Sequence, residues 1–168
     1  MRNKINSTNK KTLLLIACLM IVATTIGIYL LLQQRREYVI ESAQSPQYKT
    51  MLPSGKTIQQ LGGWNRVSPP NTTPVYSYND TLEGVQIGVT QQPLPEAFKR
   101  EPELQTSKLA ERDNATIKFN AGNTTVYMGN SARGPQSLYL TKNGLLVLVK
   151  SQRKISENAW ITYIQALQ

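Results

Sequence analysis

The sequence predicts an α+β protein: an N-terminal transmembrane helix, then a small antiparallel sheet with a C-terminal helix docked on one face. Three observations carry this. Residues Thr12 to Gln34 form a 23-residue stretch without a charge. Short β-rich runs punctuated by turn residues follow it, including Asn143-Gly144. The chain then closes with Trp160, Ile161, Ile164 and Leu167 at helical spacing. The expected order beyond the span is strand, strand, helix, four strands, helix.

Residues 1–11 read as a basic cytoplasmic tail and 12–34 as the span. The core of the span, Leu13 to Leu32, is twenty residues long. As a helix that covers about 30 Å, the thickness of a bilayer's hydrocarbon core. Tyr29 suits the interfacial belt. A cleaved signal peptide would have a shorter apolar region ending in a small-x-small site. Glu41-Ser42-Ala43 places a carboxylate where a small residue is required. Cys18 lies within the apolar run and reads as a small apolar residue. Arg2, Lys4, Lys10 and Lys11 precede the span, whereas Arg35 and Arg36 follow it, offset by Glu37. The basic excess therefore predicts a cytoplasmic N-terminus and an exterior C-terminal domain.

Charge and composition exclude several functions. The net charge is +9, of which the six basic residues flanking the span supply +6. A nucleic-acid binder would carry its excess on the folded domain, so no nucleic-acid partner is expected. With no His and one Cys, a Ser-His-Asp triad, a Cys-His pair and a His-based zinc site are impossible. No metal site and no cofactor are expected.

Residues 35–60 read as a tether, broken by Ser45-Pro46 and Pro53-Ser54-Gly55. Gly55-Lys56-Thr57 resembles the end of a phosphate loop, but the Gly required five residues earlier is Thr50; it reads as a turn. The exterior domain is expected over 61–168, opening at Leu61-Gly62-Gly63-Trp64. Val75 to Tyr78 and Val85 to Val89 read as strands, with turn chemistry at Asn79-Asp80 between them. Residues 95–112 read as a helix entered through Pro95 and interrupted at Pro102. Ala115 to Phe119 and Thr124 to Met128 form a hairpin around residues 120–123.

Gln136 to Thr141 and Leu145 to Lys150 form a second hairpin on Asn143-Gly144, whose residues tolerate the positive φ of a type I′ turn. That loop fixes a register in which Lys142 faces Leu145 and Leu138 faces Val149. The unbroken apolar run Leu145 to Val149 predicts a strand in the middle of the sheet. Ser156 caps the last helix, expected over 157–167. Its apolar stripe is expected on the Leu138, Leu140, Val147, Val149 face.

The phrases Leu52-Pro53-Ser54-Gly55-Lys56, Leu61-Gly62-Gly63-Trp64, Gln91 to Glu96 and Ser131 to Ser137 resemble those of a group of uncharacterised bacterial single-pass membrane proteins from small-genome lineages. The Thr141 to Leu146 hairpin and the Trp160 helix are similar to the same group. The resemblance covers about residues 48–168. It implies an anchored exterior domain and brings no activity or site residue with it.

Candidate chemistry is sparse. Ser151-Gln152-Arg153-Lys154 matches Ser-x-x-Lys, without the partner motifs of acylating enzymes. Glu96, Glu101, Glu103, Glu111 and Asp113 read as a solvated acidic face. The binding candidates are Arg133, Lys150, Arg153 and Lys154, which fall between the last strands and the last helix. As a group they suit anionic lipid headgroups, an anionic wall polymer or another envelope protein. The sequence thus predicts a membrane-anchored, non-catalytic interaction module of the cell envelope. A carrier of an apolar ligand on a curved sheet is the alternative, and an enzyme ranks below both.

Overall fold

The structure, a computed structural model, describes residues 45–132 and 134–168. The expected basic tail, membrane span and first part of the tether lie outside the described residues. Among the described residues, no helix is long and apolar enough to cross a membrane.

One seven-stranded antiparallel sheet organises the domain. Its strands are β1 (Asn65–Arg66), β2 (Tyr76–Leu82), β3 (Val85–Pro93), β4 (Ile117–Ala121), β5 (Thr124–Asn130), β6 (Gln136–Lys142) and β7 (Leu145–Ser151). The helices are α1 (Glu96–Lys99), α2 (Pro102–Arg112) and α3 (Glu157–Ala166). The spatial order is β1-β2-β3-β7-β6-β5-β4. After β3 the chain crosses one face through α1 and α2 to the far edge, then returns strand by strand until β7 closes against β3. The α+β class and the antiparallel sheet agree with the sequence. So does the central place of β7, whose apolar run is buried except for the half-buried Leu148.

The β6–β7 register agrees pair by pair: Lys142 faces Leu145, Leu140 faces Val147 and Leu138 faces Val149. Asn143 and Gly144 take φ of 51° and 76°, which a two-residue hairpin of this twist demands. Ser156 Oγ accepts from the Ala159 N–H at 3.3 Å and caps α3. From α3, Trp160, Tyr163 and Ile164, with Leu167 just after it, share one core with Leu138, Leu140, Val147 and Val149, the face expected. Burial of each such large side chain is worth about 1.5–3 kcal/mol. The Lys142 ammonium crosses to the end of α3 and donates to the Ile164 carbonyl at 2.7 Å, capping the helix's negative end.

Three expectations are corrected. The β2–β3 turn is Glu83-Gly84, with φ of 50° and 73°, not Asn79-Asp80. Asp80 is buried within β2, held by the Lys56 ammonium at 2.6 Å and by the Tyr163 hydroxyl, which donates to its Oδ2 at 3.2 Å. The β4–β5 turn is only Gly122-Asn123, because Asn120 and Ala121 extend β4. The expected break at Pro102 is there: the first helix ends at Lys99 and Pro102 begins α2 after Arg100 and Glu101. Finally, the sheet carries helices on both faces. Ala110 and Leu109 of α2 cluster with Tyr127, Tyr139 and Leu148, opposite α3.

The described part of the expected tether, 45–60, belongs to the fold. Met51 is buried, and Tyr48, Leu52 and Ile58 lie against the core. Leu52 and Gln168 exchange backbone hydrogen bonds, N–H to carbonyl, at 2.9 and 3.0 Å, and Pro53 bridges Leu167. Lys56 N–H donates to the Pro53 carbonyl at 3.0 Å, the turn expected at Pro53-Ser54-Gly55.

Candidate functional site

The end of α2 creates the candidate site. Asn114 adopts φ of 57°, a left-handed residue that stops the helix. The Ala115 N–H then donates to the Ala110 carbonyl at 2.8 Å, turning the chain sharply. This stop leaves Arg112 and Asp113 projecting over β6 and β7. Between them and the sheet lies a hollow of about 190 Å³. Leu109 and Leu148 contribute its apolar wall, and Arg112, Asp113, Ser137, Tyr139 and Lys150 its polar groups.

The electrostatics are mixed. The Arg112 guanidinium Nε is 3.6 Å from Asp113 Oδ1. The Tyr139 hydroxyl is pushed up to about 12, chiefly by burial and secondly by the Asp113 carboxylate, against the pull of Ser137 and Arg112. It therefore stays protonated as a hydrogen-bond donor at neutral pH. The Lys150 side chain is exposed and makes no hydrogen bond or ion pair among the described residues. Two cations, one carboxylate and two hydroxyls around a small apolar wall suit an oxyanion-bearing ligand rather than an apolar one.

Of the three sequence-predicted site residues that are described, Lys150 takes part. Lys150 stands on the α2 side of β7, at the rim of the hollow. Arg153 and Lys154 lie exposed beyond the end of β7. Arg133 lies outside the described residues. The grouping follows strand alternation: Lys150 points to the α2 face, and Ser151, one residue on, points to the other. Ser151 is buried there; its hydroxyl accepts from the Gln136 N–H at 3.1 Å and donates to the Arg153 carbonyl at 2.7 Å. The serine of the Ser-x-x-Lys match thus ties β6 to the loop after β7.

Arg112 and Asp113 are the site residues that the sequence does not group with Lys150; Asp113 reads there only as part of an acidic face. Arg112 stands at the end of a helix whose apolar face is thin, and nothing local links it to β7. Tyr139 and Ser137 do follow from the predicted register, since Tyr139 faces Leu148 and Ser137 faces Lys150. Among the described residues there is no group of three or more His, Cys, Asp or Glu placed to hold a metal ion. No protein family, curated protein or solved structure matches the chain.

Proposed function

We propose that the chain is a single-pass membrane protein with a cytoplasmic N-terminus, and that its α+β domain serves outside as a non-catalytic binding module of the cell envelope. The observation that carries this reading is the uncharged run Thr12 to Gln34 with its basic flanks, leading into a domain that buries its own core. A single Cys and no His support binding over turnover. The carrier alternative requires an apolar concavity, but Trp160, Tyr163 and Ile164 fill the space between α3 and the sheet.

The test is fractionation of cells expressing the full chain. The uncleaved protein is expected in carbonate-washed membranes, with the C-terminal domain digested by protease added outside. Release by carbonate, or a mature N-terminus beyond Leu32, overturns the anchor. Digestion only after the inner side is opened overturns the orientation.

A further inference from the structure

The hollow beside α2 continues across the sheet. Asn79, Gly88, Lys150 and Ser137 lie abreast on β2, β3, β7 and β6. Ser77, Thr90, Leu148 and Tyr139 form the next row on the same face. Four strands at sheet spacing make each row about 14 Å long. At the α2 end the rows meet Arg112 and Asp113. Toward β2 they run out onto side chains that bear only hydroxyls and amides.

Gly88 is the centre of this surface. It is a strand-interior glycine outside the positive-φ region, so its backbone does not require glycine. A Cβ built there would meet only Asn79 Oδ1, at 3.7 Å. Packing does not require glycine either. A strand-interior glycine often marks a bulge, a sharp bend or a close approach to the backbone. The register runs unbroken through Gly88 on both sides, so there is no bulge, which leaves close approach. Beside it, Lys150 has no polar partner among the described residues, and neither Asn79 nor Thr90 makes a side-chain hydrogen bond.

We infer that this surface is a shelf for an anionic, hydroxyl-rich chain, a glycan or polyol polymer bearing carboxylate or phosphodiester groups. An oxyanion of the chain pairs with Lys150, with Arg112 behind it. The uncharged units pass over Gly88 and bond to Asn79, Thr90 and Ser77. Charge complementarity decides for an anion, since Asp113 engages Arg112 and the Lys150 ammonium on the shelf has no polar partner among the described residues. The neutral hydroxyls and amides decide for a polyhydroxylated chain over a peptide, which would seek apolar pockets or a free strand edge. The inference rests on the binding role proposed above and names its ligand class.

The experiment measures binding to the full chain in nonionic detergent micelles, so its result does not depend on the anchor test. The probes are polygalacturonate, poly(glycerol phosphate), neutral dextran and polyglutamate. One or both anionic polyols are expected to bind, and which of them binds identifies carboxylate or phosphodiester as the source. Dextran and polyglutamate should bind about tenfold more weakly. Lys150→Glu should weaken binding about tenfold, while Lys154→Glu, the same charge change off the shelf, should change it less than about twofold. Gly88→Val, whose Cβ would meet only Asn79 Oδ1 at 3.7 Å, should weaken binding about fivefold with an unchanged thermal midpoint. Absence of binding to both anionic polyols overturns the shelf. So does equal loss from Lys150→Glu and Lys154→Glu. Polyglutamate binding as strong as that of the polyols, indifferent to Gly88→Val, leaves only a generic cation surface and overturns it as well.

Discussion

The Gln91 side chain holds both backbone polar groups of Met51. Its Nε2 donates to the Met51 carbonyl at 2.7 Å, and its Oε1 accepts from the Met51 N–H at 2.8 Å. Gln91 is fully buried and Met51 nearly so. The amide thus does what a neighbouring strand would do, satisfying a segment that has no ladder of its own. The Tyr48 hydroxyl adds a bond to the Gln91 carbonyl. Through these contacts the segment before β1 becomes part of the domain.

Replacing Gln91 by Leu keeps the volume and removes the amide. Two buried backbone groups then lack partners, and each costs about 1–3 kcal/mol. Unfolding free energy should fall by about 2–6 kcal/mol, read from urea denaturation of the full chain in detergent. Gln91→Glu keeps the shape and an acceptor but not the donor, and should also destabilise. Stability unchanged in the Leu variant would mean that the Met51 contact contributes little.

Two glycines on the α2 face predict opposite outcomes. A Cβ at Gly129 would lie 3.2 Å from Ala115 Cα and 3.3 Å from the Asn114 carbonyl. Both are parts of the tight turn that ends α2, so neither can swing away. Gly129→Ala should cost about 1–3 kcal/mol through forced backbone shifts. Gly88→Ala meets only Asn79 Oδ1 at 3.7 Å and should leave stability unchanged or raise it by about 0.5 kcal/mol. Thermal midpoints of the two variants check the contrast; equal midpoints would sink it.

The β6–β7 hairpin was legible because its signals are local. Asn143 and Gly144 both accept positive φ, and the period-two alternation leaves one register that buries Leu138, Leu140, Val147 and Val149. The β2–β3 turn was not legible for a tertiary reason. Asn79-Asp80 carries better turn chemistry than Glu83-Gly84, but Asp80 is claimed by Lys56 and Tyr163, both distant in sequence. Coverage of the second face was hidden because α2 buries small residues, Ala110 and Thr106, while Leu104 stays 45% exposed. The hollow inherits that difficulty: Lys150 reads as basic anywhere, but its pairing with Arg112 exists only once α2 lies on β6 and β7.

Gly144→Val tests the turn directly. Its φ of 76° is hostile to a β-branched residue, although a Cβ there would meet nothing within 4 Å. The cost is therefore conformational rather than steric, about 1–3 kcal/mol. Asn143→Gly, which accepts the same φ, should change stability by less than about 1 kcal/mol. Urea midpoints that fail to separate the two variants would contradict the turn assignment.

Alkaline pH should unfold the domain through its buried tyrosines. Burial pushes Tyr48 and Tyr139 up to about 12, from an ordinary value of 10.0. It pushes Tyr78 and Tyr163 higher still; in Tyr163 the neighbouring Tyr78 and Asp80 add to the effect. These groups keep their protons in the folded state at a pH where the unfolded chain has lost them. Unfolded chains then bind fewer protons, so stability falls as pH rises. The contribution is fully present below pH 10, the unfolded value, and is lost as pH climbs from 10 toward 12 and beyond. Urea midpoints should hold steady to about pH 9.5 and then drop steeply. Tyrosinate absorbance from these four rings should rise together with the loss of far-ultraviolet circular dichroism. Tyr163→Phe removes the phenol that donates to Asp80 Oδ2 at 3.2 Å. It should lower stability at neutral pH yet make the alkaline fall shallower. A fall of undiminished slope in that variant would show that Tyr163 does not carry its share of the proton linkage.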